Sequence, residues 1–105
     1  MNTIKKLSEM LDEEIEGAEE YIKCALKHKE EHPEMAKMFY DMSFDEAHHA
    51  TMLHDMIGKI VINYHREHGE AHPGMSAVHD FLHERYISKM HDIKMWQDEY
   101  KDMRT

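Results

Sequence analysis

The chain has 105 residues, with 22 acidic, 13 basic and 11 histidine side chains and a formal net charge of −9. That length suits a single domain over residues 1–105, and the acidic balance argues against direct nucleic-acid binding and against an anionic membrane surface, both of which call for a basic footprint. One cysteine, Cys24, excludes an internal disulfide framework; with no apolar leader in Met1–Met10 and no apolar run near the ~20 residues of a membrane helix, it points to a cytoplasmic protein.

Proline and glycine divide the chain into three helical segments. The first helix is expected from Thr3 to Glu31, ended by Pro33, which also suits the first turn of the next helix, with His32 as a poor cap. The second is expected from Pro33 to His68, and the break at His68-Gly69 through His72-Pro73-Gly74 separates it from a third, Met75 to Met103. Gly58 falls inside the second helix, where it either permits a close helix contact or marks a bend. No alternation of the β type persists, so the fold class is all-α. At 1.5 Å per residue the first two helices would span roughly 43 and 54 Å, lengths that suit an antiparallel hairpin with the third helix packed beside it. A chain this short buries a limited core, so partner subunits are expected. His65, His68 and His72 crowd the turn between the second and third helices.

Charge interrupts the apolar stripes. The first helix carries Ile4, Leu7, Leu11, Glu14, Ala18, Tyr21, Ala25 and His28 on one face, with Glu14 in a core slot. The second carries Met35, Phe39, Met42, Glu46, His49, Leu53, Met56 and Ile60, with Glu46 and His49 in core slots one turn apart. Measured from the hairpin turn, Glu14 lies at a depth of roughly 24 Å and Glu46 and His49 at roughly 18 and 22 Å, so the three converge within about a turn. Buried charges are paired or coordinate metal. Two carboxylates and an imidazole form an oxygen and nitrogen donor set suited to iron, manganese or zinc. A one-residue shift in register would instead turn Glu14 to solvent among Asp12, Glu13 and Glu16.

Glu14 followed seven residues later by Tyr21, then Asp45-Glu46-Ala47-His48-His49 on the next helix with Phe39 seven residues before Glu46, resembles one half of a ferritin-like di-iron carboxylate protein of the rubrerythrin type. The resemblance covers about half the chain, Leu7 to Met56. It implies Glu14 as a terminal metal ligand, Glu46 as a bridging ligand and His49 as an imidazole ligand. Asp45 would orient a ligand histidine, and Tyr21 would hydrogen-bond a ligand carboxylate. His48 stands where an arginine is sometimes found. A complete member has two such halves, and the third helix here has no E-x-x-H. Half-length ferritin-like proteins, the encapsulated ferritins among them, restore the set at a dimer interface. The implied architecture is therefore a ferritin-like four-helix bundle completed by dimerisation, with two iron or manganese ions per dimer.

On that reading the activity is di-metal chemistry of the ferroxidase, peroxidase or iron-handling type. The alternative, drawn from the net charge, is a non-enzymatic acidic helical interaction or inhibitor protein of the phage-regulator type that occludes a basic partner. A third is a cargo-like iron-storage adaptor. Ile93, Trp96, Tyr100 and Met103 are expected to pack the third helix against the hairpin or to build a larger ring. His79 and His83, four apart, read as solvated or as a surface metal pair. Met35, Met42 and Met56 read as core filling, and Cys24 as a small buried hydrophobe.

Overall fold

The computed structural model describes residues 2–69 and 73–103. Three helices occupy nearly all of them: α1 (Asn2–His28), α2 (Pro33–His68) and α3 (Pro73–Met103). The molecule is 55 Å long and 19 by 16 Å across, the shape of a helical hairpin with a third helix along one side. α1 and α2 form the most extensive pairing, and α3 docks more on α1 than on α2.

The boundaries have local causes. α1 ends at His28, short of the expected Glu31; the next residues form a turn closed by the His32 amide donating to the His28 carbonyl at 2.9 Å. Pro33 enforces this stop, because the residue before a proline avoids helical backbone. His32 caps α2 without a side-chain hydrogen bond, leaving Pro33, which needs no amide partner, to start the helix. α2 ends at His68, where Gly69 takes φ 80° and its amide bonds the His65 carbonyl at 2.8 Å. That left-handed backbone favours glycine. α3 begins at Pro73, two residues before the expected start. His72 and the side chain of Met103 lie outside the described residues. Gly58 serves no close helix contact, since a Cβ there would meet nothing within 4 Å.

The core has two apolar clusters. Ile4, Leu11, Ile15 and Ala18 of α1 meet Ala50, Ile57 and Val61 of α2 and Ile93 of α3. Nearer the hairpin turn, Ile22 and Ala25 meet Ala36 and Tyr100, with Phe39, Tyr40 and Trp96 against them. Each fully buried Leu or Ile contributes about 1.5–3 kcal/mol relative to exposure. Between the clusters lies a buried polar pair: Gln97 Nε2 donates to Ser43 Oγ at 3.0 Å, and Ser43 Oγ donates to the Tyr40 carbonyl at 2.6 Å. Ile93 and Tyr100 are buried and Trp96 is half-buried, as expected for α3. Among the described residues no helix is long and apolar enough to cross a membrane.

The buried row of α2 differs from the expected stripe. It is Ala36, Ser43, Ala50, Ile57 and Val61, about a quarter turn around the helix from Met35, Phe39, Met42, Leu53, Met56 and Ile60. Met35 and Met56 are 36% and 47% exposed, so they do not fill this chain's core. The small side chains of the buried row allow α1 and α2 to approach closely. Ile15 and Ile22 extend the core of α1 beyond the expected face. Cys24 is half-buried rather than buried.

Candidate metal centre

α3 covers one side of the α1–α2 seam. On α1 it is met by Asp12, whose Oδ1 lies 3.3 Å from Arg85 Nε, by Glu19, 3.7 Å from Lys89 Nζ, and by Lys23, whose ammonium sits 4.9 Å from the Trp96 ring centre. On α2 it is met by Tyr40, Ser43, Thr51 and His54. Helical spacing puts Glu14, Tyr21, Glu46 and His49 on the opposite edge of the same seam. They occupy the face of the hairpin that α3 leaves open.

Glu14, Glu46 and His49 meet there. Each offers one ligand atom such that all lie within 4.8 Å of one another, and they are the group of three or more potential metal-ligating side chains found among the described residues. His49 Nδ1 lies 3.4 Å from Glu14 Oε2. The convergence follows from the fixed helical rise and the antiparallel turn at Lys29–His32, which set all three at one depth. The site is open on its outer side: the Glu14 side chain is 29% exposed and that of His49 51%. Within one chain the three groups therefore line a wet face, not the dry interior that their place on the apolar stripe suggests.

The electrostatics bear on what such a cluster can hold. A hydrogen bond with Glu14, then desolvation by burial and the Glu14 charge, raise the Glu46 carboxyl above its ordinary value of 4.5, with His49 pulling the other way and Asp45 adding to the rise. Two carboxylates that face each other this way are two that one cation can bind together. Glu46 also has a seat shaped for it. A Cβ added to Gly17 would come within 3.2 Å of Glu46 Oε2. Gly17 lies one turn beyond Glu14 on the same face, and its missing side chain is what lets the Glu46 carboxylate approach α1. Donor type, facing carboxylates and glycine seat fit a cationic metal such as iron or manganese. Gly17 was not among the expected site residues; a glycine inside an uninterrupted helix, on the ligand face, is the sequence signal that marks it.

The supporting residues are only partly engaged. Tyr21 stacks on Phe39, centroids 6.0 Å apart and planes at 19°, which brings together the two aromatics of the motif. Among the described residues Tyr21 makes no hydrogen bond to either carboxylate. Asp45 is exposed and acts on Glu46 through its charge, while His49 is turned toward Glu14. His48 is exposed. His79 and His83 are drawn into a cluster with α2, since His83 bonds His54.

A helical hairpin with an E-x-x-H on one helix and a facing glutamate on the other, all on one face, defines a ferritin-like protein. The particular family is the rubrerythrins: the Rubrerythrin family model matches residues 5–104, and the chain belongs to that family. No curated protein and no solved structure gave a significant match.

Proposed function

We propose that two copies of this chain pair their open hairpin faces into a four-helix bundle, so that two sets of Glu14, Glu46 and His49 hold two iron or manganese ions. The observation that carries this reading is the meeting of Glu14, Glu46 and His49 on the face that α3 leaves uncovered. Partly exposed Met35, Met38, Phe39, Met42 and Met56 flank the ligands along α2 and supply apolar surface for a second hairpin. A two-fold arrangement doubles half a ligand set into a full one.

Iron bound there would supply the one-electron redox change that ferroxidase, peroxidase and iron-handling activities share. The chain's own residues prepare the site. The raised Glu46 carboxyl must be ionised for the cation to enter, so binding weakens as pH falls. Gly17 keeps room for the Glu46 carboxylate. The Tyr21–Phe39 stack joins α1 to α2 on the hairpin-turn side of the ligands. His49 supplies a neutral imidazole donor, held toward Glu14. Asp45 adds negative charge beside the ligands, which draws cations.

Protein reconstituted anaerobically with Fe²⁺ is expected to hold about one metal per chain and to sediment as a dimer or a multiple of it. Glu46→Ala should abolish the metal. Absence of bound metal in the wild-type protein would end this reading.

A further inference from the structure

On the other side of the seam, away from Glu14, Glu46 and His49, α2 and α3 build a second cluster from imidazoles alone. His54 Nε2 and His83 Nδ1 face each other at 2.9 Å. The His54 ring is clamped flat against Tyr86, centroids 3.9 Å apart and planes at 11°. Tyr86 is itself fixed, its hydroxyl 2.9 Å from Thr51 Oγ1, and Thr51 Oγ1 donates to the Ala47 carbonyl at 3.1 Å. The other His54 nitrogen, Nδ1, lies 3.3 Å from Asp55 Oδ1. His79 stands one turn before His83 on α3, their rings near parallel at 17° with centroids 6.4 Å apart.

One choice of tautomers satisfies these contacts together. A carboxylate only accepts, so His54 Nδ1 carries the hydrogen and His54 Nε2 presents a lone pair. His83 Nδ1 then donates its N–H to that lone pair. Move that hydrogen to His83 Nε2 and both facing nitrogens present lone pairs to a cation. The spacing is close to what a metal needs: two nitrogens each ~2.05 Å from a tetrahedral ion lie ~3.3 Å apart, so the 2.9 Å pair has to part by a few tenths of an ångström. An imidazole oriented by a carboxylate on its far nitrogen is the common arrangement of a metal-ligating histidine.

We propose that His54 and His83, with His79 turning in as third ligand, form a site for a borderline divalent cation of the zinc class. Imidazole donors without a facing carboxylate favour zinc, copper or nickel over iron or manganese. The site bridges α2 to the first half of α3, where Val78, Phe81 and Ile87 are exposed and apolar packing is thin. Bound metal there staples α3 to the hairpin. The His83 ring hydrogen moves from Nδ1 to Nε2 as the ion binds, so the ring keeps its one hydrogen and its Nδ1 lone pair goes to the metal.

The test uses full-length Glu46→Gln protein, in which the carboxylate site is disabled, titrated with Zn²⁺ at pH 7.5. The expected result is one Zn²⁺ per chain, a raised melting temperature, and large shifts of the His54 Nε2 and His83 Nδ1 resonances in ¹⁵N imidazole spectra. Adding His83→Gln or His79→Gln should each weaken binding at least about tenfold. Unmoved His54 and His83 resonances, or binding indifferent to His83→Gln, would overturn the site. Binding indifferent to His79→Gln would remove its third ligand. The imidazole spectra need no histidine substitution, so they decide the matter even if the variants fold poorly. Loss of Fe²⁺ binding at Glu46 with Zn²⁺ binding retained separates this inference from the proposed function.

Discussion

Gly17→Ala sets the stability of α1 against the position of a ligand. Gly17 lies inside an unbroken helix, where alanine is favoured by about 1 kcal/mol. For a domain of this size that is worth roughly 4–8 °C in melting temperature. The added Cβ would stand 3.2 Å from Glu46 Oε2 and 3.6 Å from Glu46 Cδ and Cγ. Only the first contact is too close, and a carboxylate at the end of a flexible side chain relieves it by moving a few tenths of an ångström. The hairpin tolerates that movement; a coordinating oxygen does not, because displacing the groups that orient a ligand typically costs ~10–100-fold in metal affinity. Metal-free Gly17→Ala should therefore melt higher than wild type while binding Fe²⁺ or Mn²⁺ at least about tenfold more weakly. The assay is thermal melting by circular dichroism beside anaerobic metal titration. Unchanged metal affinity would refute the idea that Gly17 seats Glu46, and a lowered melting temperature would refute the helix argument.

Glu46 binds its proton more tightly folded than unfolded, so its contribution to stability falls as pH rises from 4.5 through its raised folded value. Metal-free Glu46→Gln should accordingly melt higher than wild type at pH 7, with the difference shrinking toward pH 4.5, as read by melts across pH. Glu19 acts in the opposite sense: a hydrogen bond from Lys23 foremost, with the charges of Lys23 and Lys89, lowers its carboxyl below 4.5 against the opposing effect of burial. Its stabilisation is present above 4.5 and fades as pH falls through the folded value, so Glu19→Gln should flatten the acid limb of the melting profile. Ser43→Ala leaves the Gln97 amide buried without its acceptor and should cost about 1–3 kcal/mol in urea denaturation, whereas Ser43→Ala with Gln97→Leu should recover most of that loss.

The three helices were legible because proline and glycine stand only near their ends or in harmless places. The meeting of Glu14, Glu46 and His49 was legible because helical rise converts residue counts into depth. The rotational setting of α2 was not. Apolar periodicity weights large side chains and so selected the row of Met35, Phe39, Met42 and Met56. The helices instead close on Ala36, Ser43 and Ala50, whose small volume is the reason for the close approach and carries little hydrophobic signal. The Ser43–Gln97 and His54–His83 pairs join residues far apart in the chain, and no local pattern announces them. Tyr21, expected to hydrogen-bond a ligand carboxylate, instead stacks on Phe39.

The adhesive of the hairpin and its donor atoms ride on separate rows of α2. Ala36, Ala50 and Ile57 pack into the apolar clusters with α1 from a row distinct from that of Glu46 and His49. Evolution can therefore swap, retune or erase the donors without an unfolded ancestor in between, and one scaffold can drift between catalyst, reservoir and inert adaptor by changes confined to a single strip of surface.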